Sequence, residues 1–418
     1  MRRGSVRLSA ILAGLLSLCA TASAGNPSPA DGGTAPAHVA GPALFSSLFA
    51  LGVNLADVGF SGDLGAGPSA AAADSDGDNL LIVDDGADCP NAEYPTIQAA
   101  VNAADPGDRI KVCRGTYPEQ VTIPAGKDGI TLFSAGFLEA VIKAPPVMID
   151  PGDIVTVRGA RDVTIRHFTI AGPLPDLLFC SVFTRTGVKV DGGGSLLLTH
   201  NHITEIRSTS PLLRGCQNGI AVRAGSRADN TTGTVEADHN LIDLYQKGGI
   251  VVDNNGSYGN IHHNEIVGVG PQPVIGQNGI QISRGATADV DHNEVSENIY
   301  TLGGAGTGIL LFEADGTGLT VAYNDVYRND DGIGLYNVDN SLVKHNKSHD
   351  QVVWDGLFAN SLSTGNRFEY NRMERNTEHD CHDDSFGTGT GGTANFWVKD
   401  YGLTENRAGL CRKATLTP

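Results

Sequence analysis

Two aspartates carry the most specific chemical signal in this 418-residue sequence. Asp331 and Asp355 each stand before a glycine and an aliphatic residue, one 24-residue step apart. If that step is one turn of a stacked coil, their carboxyls lie roughly 5 Å apart, near the separation used by carboxyl pairs that cleave glycosides with retention. Two like charges so close push one pKa upward, which a general acid needs. Asp330, His349, Asp350 and Trp354 are close by in sequence. Aspartate before glycine is also an ordinary turn choice, and that reading stays open.

The densest ligand-capable segment is Glu378, His379, Asp380, His382, Asp383 and Asp384, around Cys381. Imidazole and carboxylate donors suit a divalent cation, with His379, Asp380, His382 and Asp383 as the candidate ligands. The same residues would serve as a polar cap beside a disulfide. Calcium is the other cofactor the sequence suggests: Asp74, Asp76 and Asp78 alternate as in a calcium loop, although Asn79 and Asp85 replace its glycine and final glutamate. An acidic linker explains them as well. No Walker loop, serine-nucleophile elbow or H-E-x-x-H motif occurs.

A repeat must position these groups. A small or polar residue, glycine and an aliphatic recur at Asn218-Gly219-Ile220, Gly248-Gly249-Ile250, Asn278-Gly279-Ile280, Thr307-Gly308-Ile309, Asp331-Gly332-Ile333 and Asp355-Gly356-Leu357. A second marker runs in phase, at His200-Asn201, His239-Asn240, His263-Asn264, His292-Asn293, Tyr323-Asn324, His345-Asn346 and Tyr370-Asn371. Steps of 24 to 30 residues holding about three short strands and no helix fit a coil of a parallel β-solenoid. The asparagines then stack at one bend through their amides. The histidines stack beside them, as a structural column or as a copper or zinc surface, a reading weakened by the two tyrosines.

Alternation along the strands defines a surface. With the isoleucines inward, Val251, Gln281, Leu310, Arg223, Asp253, Phe312 and Tyr336 face solvent, with Arg284 and Glu313 just beyond and Trp354 and Asn360 further along. Rings beside charged hydrogen-bonding groups suit a sugar chain; an ordinary outer face is the plainer alternative. The segment 96–104 puts Ile97, Ala100, Val101 and Ala104 on one helical face before Pro106-Gly107, and so covers the first open end of the coil. The segment 381–411 covers the last.

The stretch YPTIQAAVNAADPGDRIKVCRGTYPEQVTI, with the NGI and HN repeats downstream, resembles the entry segment and coils of the right-handed parallel β-helix superfamily of pectate lyases, pectin methylesterases and polygalacturonases, and more closely NosD-like and CASH-type repeat proteins. The tail DDSFGTGTGGTANFWVKDYG before Cys411 resembles the terminal cap of exported members. The resemblance spans about residues 80 to 411 and implies an all-β parallel β-helix. It supplies no active site: the Asp-Phe-Ile-Phe-Gly, Gly-His-Gly, Arg-Ile-Lys and Asp-Pro-His-Asp motifs of its enzymes are absent. Copper, sometimes linked to NosD-like proteins, finds little support, since Met148 and Met373 are the only thioethers after the leader.

Composition agrees. Gly supplies 54 residues and aromatics 6%, which disfavours a helical bundle. A formal charge of −18 would repel nucleic acid. Arg2, Arg3 and Arg7 precede an apolar run from Leu8 to Ala20, and Ala22-Ser23-Ala24 offers a cleavage site; lipid attachment at Cys19 is disfavoured by Leu18 before it. Beyond the leader no run is long enough to span a bilayer. The expected layout is a signal peptide over 1–24, a low-complexity arm over 25–79 and the β-helix over 80–418. Six cysteines remain, and proximity pairs Cys89 with Cys113, Cys180 with Cys216 and Cys381 with Cys411. The expectation is a secreted or envelope monomer that binds an extracellular polysaccharide, with cleavage as a lyase or glycoside hydrolase the further activity the aspartate pair would allow. The alternative is a non-catalytic surface or adhesion scaffold.

Overall fold

The computed structural model describes residues 79–413, apart from 87, 150–151, 177–179, 181–183 and 304–305. The leader, the arm before residue 79 and the Asp74, Asp76 and Asp78 loop lie outside the described residues. Short aliphatic runs form strands, and residues with positive φ, such as His239, Leu244 and Arg284, turn the chain between them. Among the described residues the strands build one 12-stranded sheet and two 10-stranded sheets. The chain visits them in rotation: Gly233–Asp238 lies in the first sheet, Leu241–Asp243 in the second and Gly248–Asp253 in the third. Tyr258–His262 then pairs in parallel with Gly233–Asp238, one coil on. The protein is a right-handed parallel β-helix, as the period and the two markers require.

Ile250, Ile280, Ile309 and Ile333 occupy one register position on the third sheet and are buried in the core. Burying each such side chain contributes about 1.5–3 kcal/mol. At the bend between the first and second sheets, each asparagine donates both its backbone N–H and its side-chain amide to the next one's Oδ1. Asn240 to Asn264 gives 3.0 Å for both bonds, and Asn264 to Asn293 gives 3.0 and 2.9 Å. The column runs from Asn201 to Asn371 and ends on the Asp400 carboxyl, 2.9 Å away. A second column, of Asn298, Asn329 and Gln351, crosses the bend between the second and third sheets.

One marker falls out of line. Ile220 pairs with Gly248 and Val222 with Ile250, so Ala221 rather than Gly219 fills the column of Gly249. Gly219 belongs to the preceding turn, with φ of 73°, because the longer segment after Ile206 delays the strand. Both ends are closed. Helix α1, Ile97–Ala103, buries Ile97, Ala100 and Val101. Its Gln98 side chain takes the place of a missing strand: Oε1 accepts from Thr122 N at 2.6 Å and Nε2 donates to Thr122 O at 3.1 Å. At the other end Trp397 Nε1 donates to Asp383 at 2.8 Å. The disulfides join Cys89 to Cys113, Cys180 to Cys216 and Cys381 to Cys411.

Candidate functional site

The outer face of the third sheet carries the chemistry, and glycine decides what reaches it. A Cβ at Gly279 would lie 2.2 Å from Val295 Cγ1, and one at Gly308 2.4 Å from Val326 Cγ1. These glycines therefore face the core, as does the aliphatic residue that follows each. Two consecutive inward positions shift the alternation, and the residue before each glycine points outward with the stripe. Thr307 and Asp331 are register partners there. Asp355 follows one coil on, its carbonyl accepting from Gly332 N at 2.9 Å.

Asp331 and Asp355 are 4% and 3% exposed, the floor of the face rather than its rim. Burial, and then the charge of Asp355, push the Asp331 carboxyl up to about 8, so at neutral pH it holds a proton. Gly334 makes room for it: a Cβ there would lie 2.9 Å from the Tyr336 ring and 3.0 Å from Asp331 Oδ2. Burial, then Asp331 and Asp355, also hold the Tyr336 phenol protonated. Asp355 Oδ1 accepts from His379 N at 3.0 Å, and Oδ2 meets His382 Nδ1 at 2.7 Å. Against the burial that disfavours its charge, His382 is raised to about 9 by its bond to Asp355, then by the charges of Asp355 and Asp384. The pair thus couples a protonated acid to a second carboxyl braced by an imidazolium.

Rings wall the site. Phe312 is the register partner of Tyr336, Tyr336 and Phe358 lie 5.3 Å apart, and Phe358 meets His382 edge-on at 5.0 Å. On the side of the bend from the second sheet, Asp330 and Trp354 help line a cleft of about 720 Å³ with Tyr300, Arg328 and Val352. Trp354 is 41% exposed there.

Other sequence candidates go elsewhere. Asp330 Oδ2 accepts from Tyr300 N and Gly306 N at 2.8 Å each, tying down the loop. His349 lies on the second sheet, between Asp325 at 2.9 Å and Asp350 at 2.5 Å, and is not brought to the aspartate pair. Arg223 and Asp253 do not face solvent as alternation alone suggests. They are buried, because Asp253 draws in Arg223 at 3.2 Å, Arg227 N at 2.9 Å, Ser283 at 2.9 Å and the half-exposed Arg284 at 2.6 Å. Glu313 is exposed at the next turn. Asn360 shares the outer face, but its Oδ1 accepts from Asn337 N, Leu362 N and Ser363 Oγ.

The metal candidates divide. Asp380 accepts from Asn376, Leu403 N and Thr404 N, and Asp383 from Trp397, Ser385 and Asn395, so both are cap anchors. His379 and His382 instead join Asp355 and Glu378, one ligand atom from each lying within 4.8 Å of the others, a set able to hold a divalent cation. Gly334 and Phe358 were not singled out from the sequence, and Thr307 only as a repeat marker. A 24-residue offset from Phe358 to Gly334, and again to Leu310, was the signal that could have found two of these positions.

The sequence matches the family model of the right-handed β-helix region over residues 227–396. Among solved structures the chain is similar to a GH136 lacto-N-biosidase from Eubacterium ramulus, with 14% identity over 80% of this chain and 66% of that chain and a TM-score of 0.53. It is similar to the Dettilon tailspike protein gp208 at 14% identity, covering 72% of this chain and 56% of that one, TM-score 0.48. A third is the mannuronan C-5 epimerase AlgE4 A-module from Azotobacter vinelandii, at 16% identity over 75% of this chain and 95% of that one, TM-score 0.43. The chain spans two-thirds or less of the tailspike and biosidase chains. A search of curated proteins returns no match. At 14% identity the likeness to the biosidase concerns the fold alone.

Proposed function

We propose that the protein binds an extracellular polysaccharide along the outer face of the third sheet and cleaves a glycosidic bond between Asp331 and Asp355. The supporting observation is the pairing itself. Two carboxyls hold the same repeat position on adjacent coils, about 4.8 Å apart along the axis, and of the two Asp331 is the one raised to about 8. Asp331 donates that proton to the leaving oxygen, and Asp355, held by His382, is the nucleophile or base. Tyr336, Phe358 and Trp354 supply apolar faces for sugar rings. The lacto-N-biosidase is, by its name, a glycan-acting protein on this fold, which favours the substrate class without selecting a glycan. Three disulfides suit an oxidising, extracytoplasmic setting.

The depth of both carboxyls favours a second reading, in which the face binds without cleaving and the protein is a surface or adhesion scaffold. A panel of neutral and uronic-acid glycans separates the two. Release of reducing ends by the parent, lost with binding retained in Asp331→Asn and Asp355→Asn, supports cleavage. Binding with no product from any glycan leaves the scaffold, and absence of binding removes both.

A further inference from the structure

Away from the third sheet, at the bend between the first and second sheets, a second constellation forms. Asp238, His262 and Asp291 share one register position on successive strands. His239, His263 and His292 follow them at the bend with φ of 51°, 56° and 53°. That backbone stacks the three rings face to face, with centroids 4.9 and 5.0 Å apart. His262 breaks the pattern. Its ring stands at 89° to that of His263, and its Nδ1 comes 3.2 Å from His263 Nδ1 and 3.0 Å from Asp238 Oδ1.

Hydrogen bonding serves this meeting poorly. A neutral imidazole carries one N–H, so a proton on His262 Nδ1 must divide between Asp238 Oδ1 and His263 Nδ1, and without it the first contact has no donor. His239 Nδ1 claims the same Asp238 oxygen. A cation resolves the conflict, because all three atoms then present lone pairs to one centre. Tetrahedral bonds of 2.0–2.1 Å to zinc place neighbouring ligand atoms about 3.3 Å apart, close to the spacings found. We propose that Asp238, His262 and His263 bind a divalent transition-metal ion of the zinc type, with the fourth position open. The donors are preset: Asp238 and His262 by strand register, and the bend by Asn264, whose amide donates to His262 O at 2.9 Å.

The test uses metal-stripped protein titrated with Zn²⁺ by calorimetry and with Co²⁺ by visible absorption. One saturable equivalent is expected, with the intense bands of four-coordinate cobalt. Affinity should fall about tenfold or more in His263→Asn and in Asp238→Asn, the latter leaving the ring stack intact, and should persist in His379→Asn. The proposal is overturned by no saturable binding in the parent, by parent-like affinity in both variants, or by loss confined to His379→Asn, which would put the ion at the other cluster.

Discussion

Asp331 concentrates the chemistry in one proton. Replacing it with asparagine keeps the shape and removes the acid, so cleavage should drop about 10²–10⁴-fold while glycan affinity, read by calorimetry, holds. The pH dependence follows from the raised pKa. A general acid works while protonated, so kcat should decline as pH rises through about 8. Stability has the same sign: between about pH 4 and 8 the native carboxyl keeps a proton that the unfolded chain has released, so the fold weakens as pH rises across that window. Urea midpoints from pH 4 to 9 should slope less in Asp331→Asn. Gly334→Ala tests the geometry, since its Cβ would press on both Asp331 and Tyr336. It should abolish product release, with a Tm loss of several degrees (about 1–3 kcal/mol); an active, unshifted variant contradicts the packing.

The bend columns show what an element contributes. Asn264 donates to Ala237 O, His262 O and Asn293, and accepts two bonds from Asn240. Asn264→Ala strands several buried groups and should cost about 3 kcal/mol or more, measured by chemical denaturation. Substitution of the exposed Asn255 at a loop should cost less than about 0.5 kcal/mol. Repeat, coil and ladder were legible in the sequence because identical residues recur at each bend and period-two alternation marks each strand. The site was legible in part. Asp331 and Asp355 follow from a whole-coil offset, but the inward glycine that shifts the alternation does not, since glycine has no side chain to reveal its direction. Arg223 and Asp253 were read as open because alternation reports a face and not what neighbouring charges draw over it. Asp380 and Asp383 looked like His379 and His382 in sequence; only the cap shows which groups turn away.

At the scale of the whole molecule, the face depends on its last coil. Cys381 precedes His382 in the final strand of the third sheet and is tied to Cys411. Opening that bond with Cys411→Ser should cost roughly 3–4 kcal/mol and raise hydrogen exchange at 379–384 before the central coils respond; uniform exchange along the chain would contradict this local role. The amide column has a direction as well. Each asparagine receives from the coil before it and gives to the coil after it, and the series terminates on the buried Asp400 carboxyl, an acceptor with no amide of its own. A coil is therefore an interchangeable cassette: excising residues 240–263 would hand Asn201 to Asn264 with the polarity preserved, and duplicating them would lengthen the spiral without a new kind of joint. Indels in whole-cassette units should be tolerated, as should length changes in the turns, since the column already spans steps of 22 to 39 residues, whereas an insertion between a strand of the first sheet and its bend asparagine would leave a donor facing a gap.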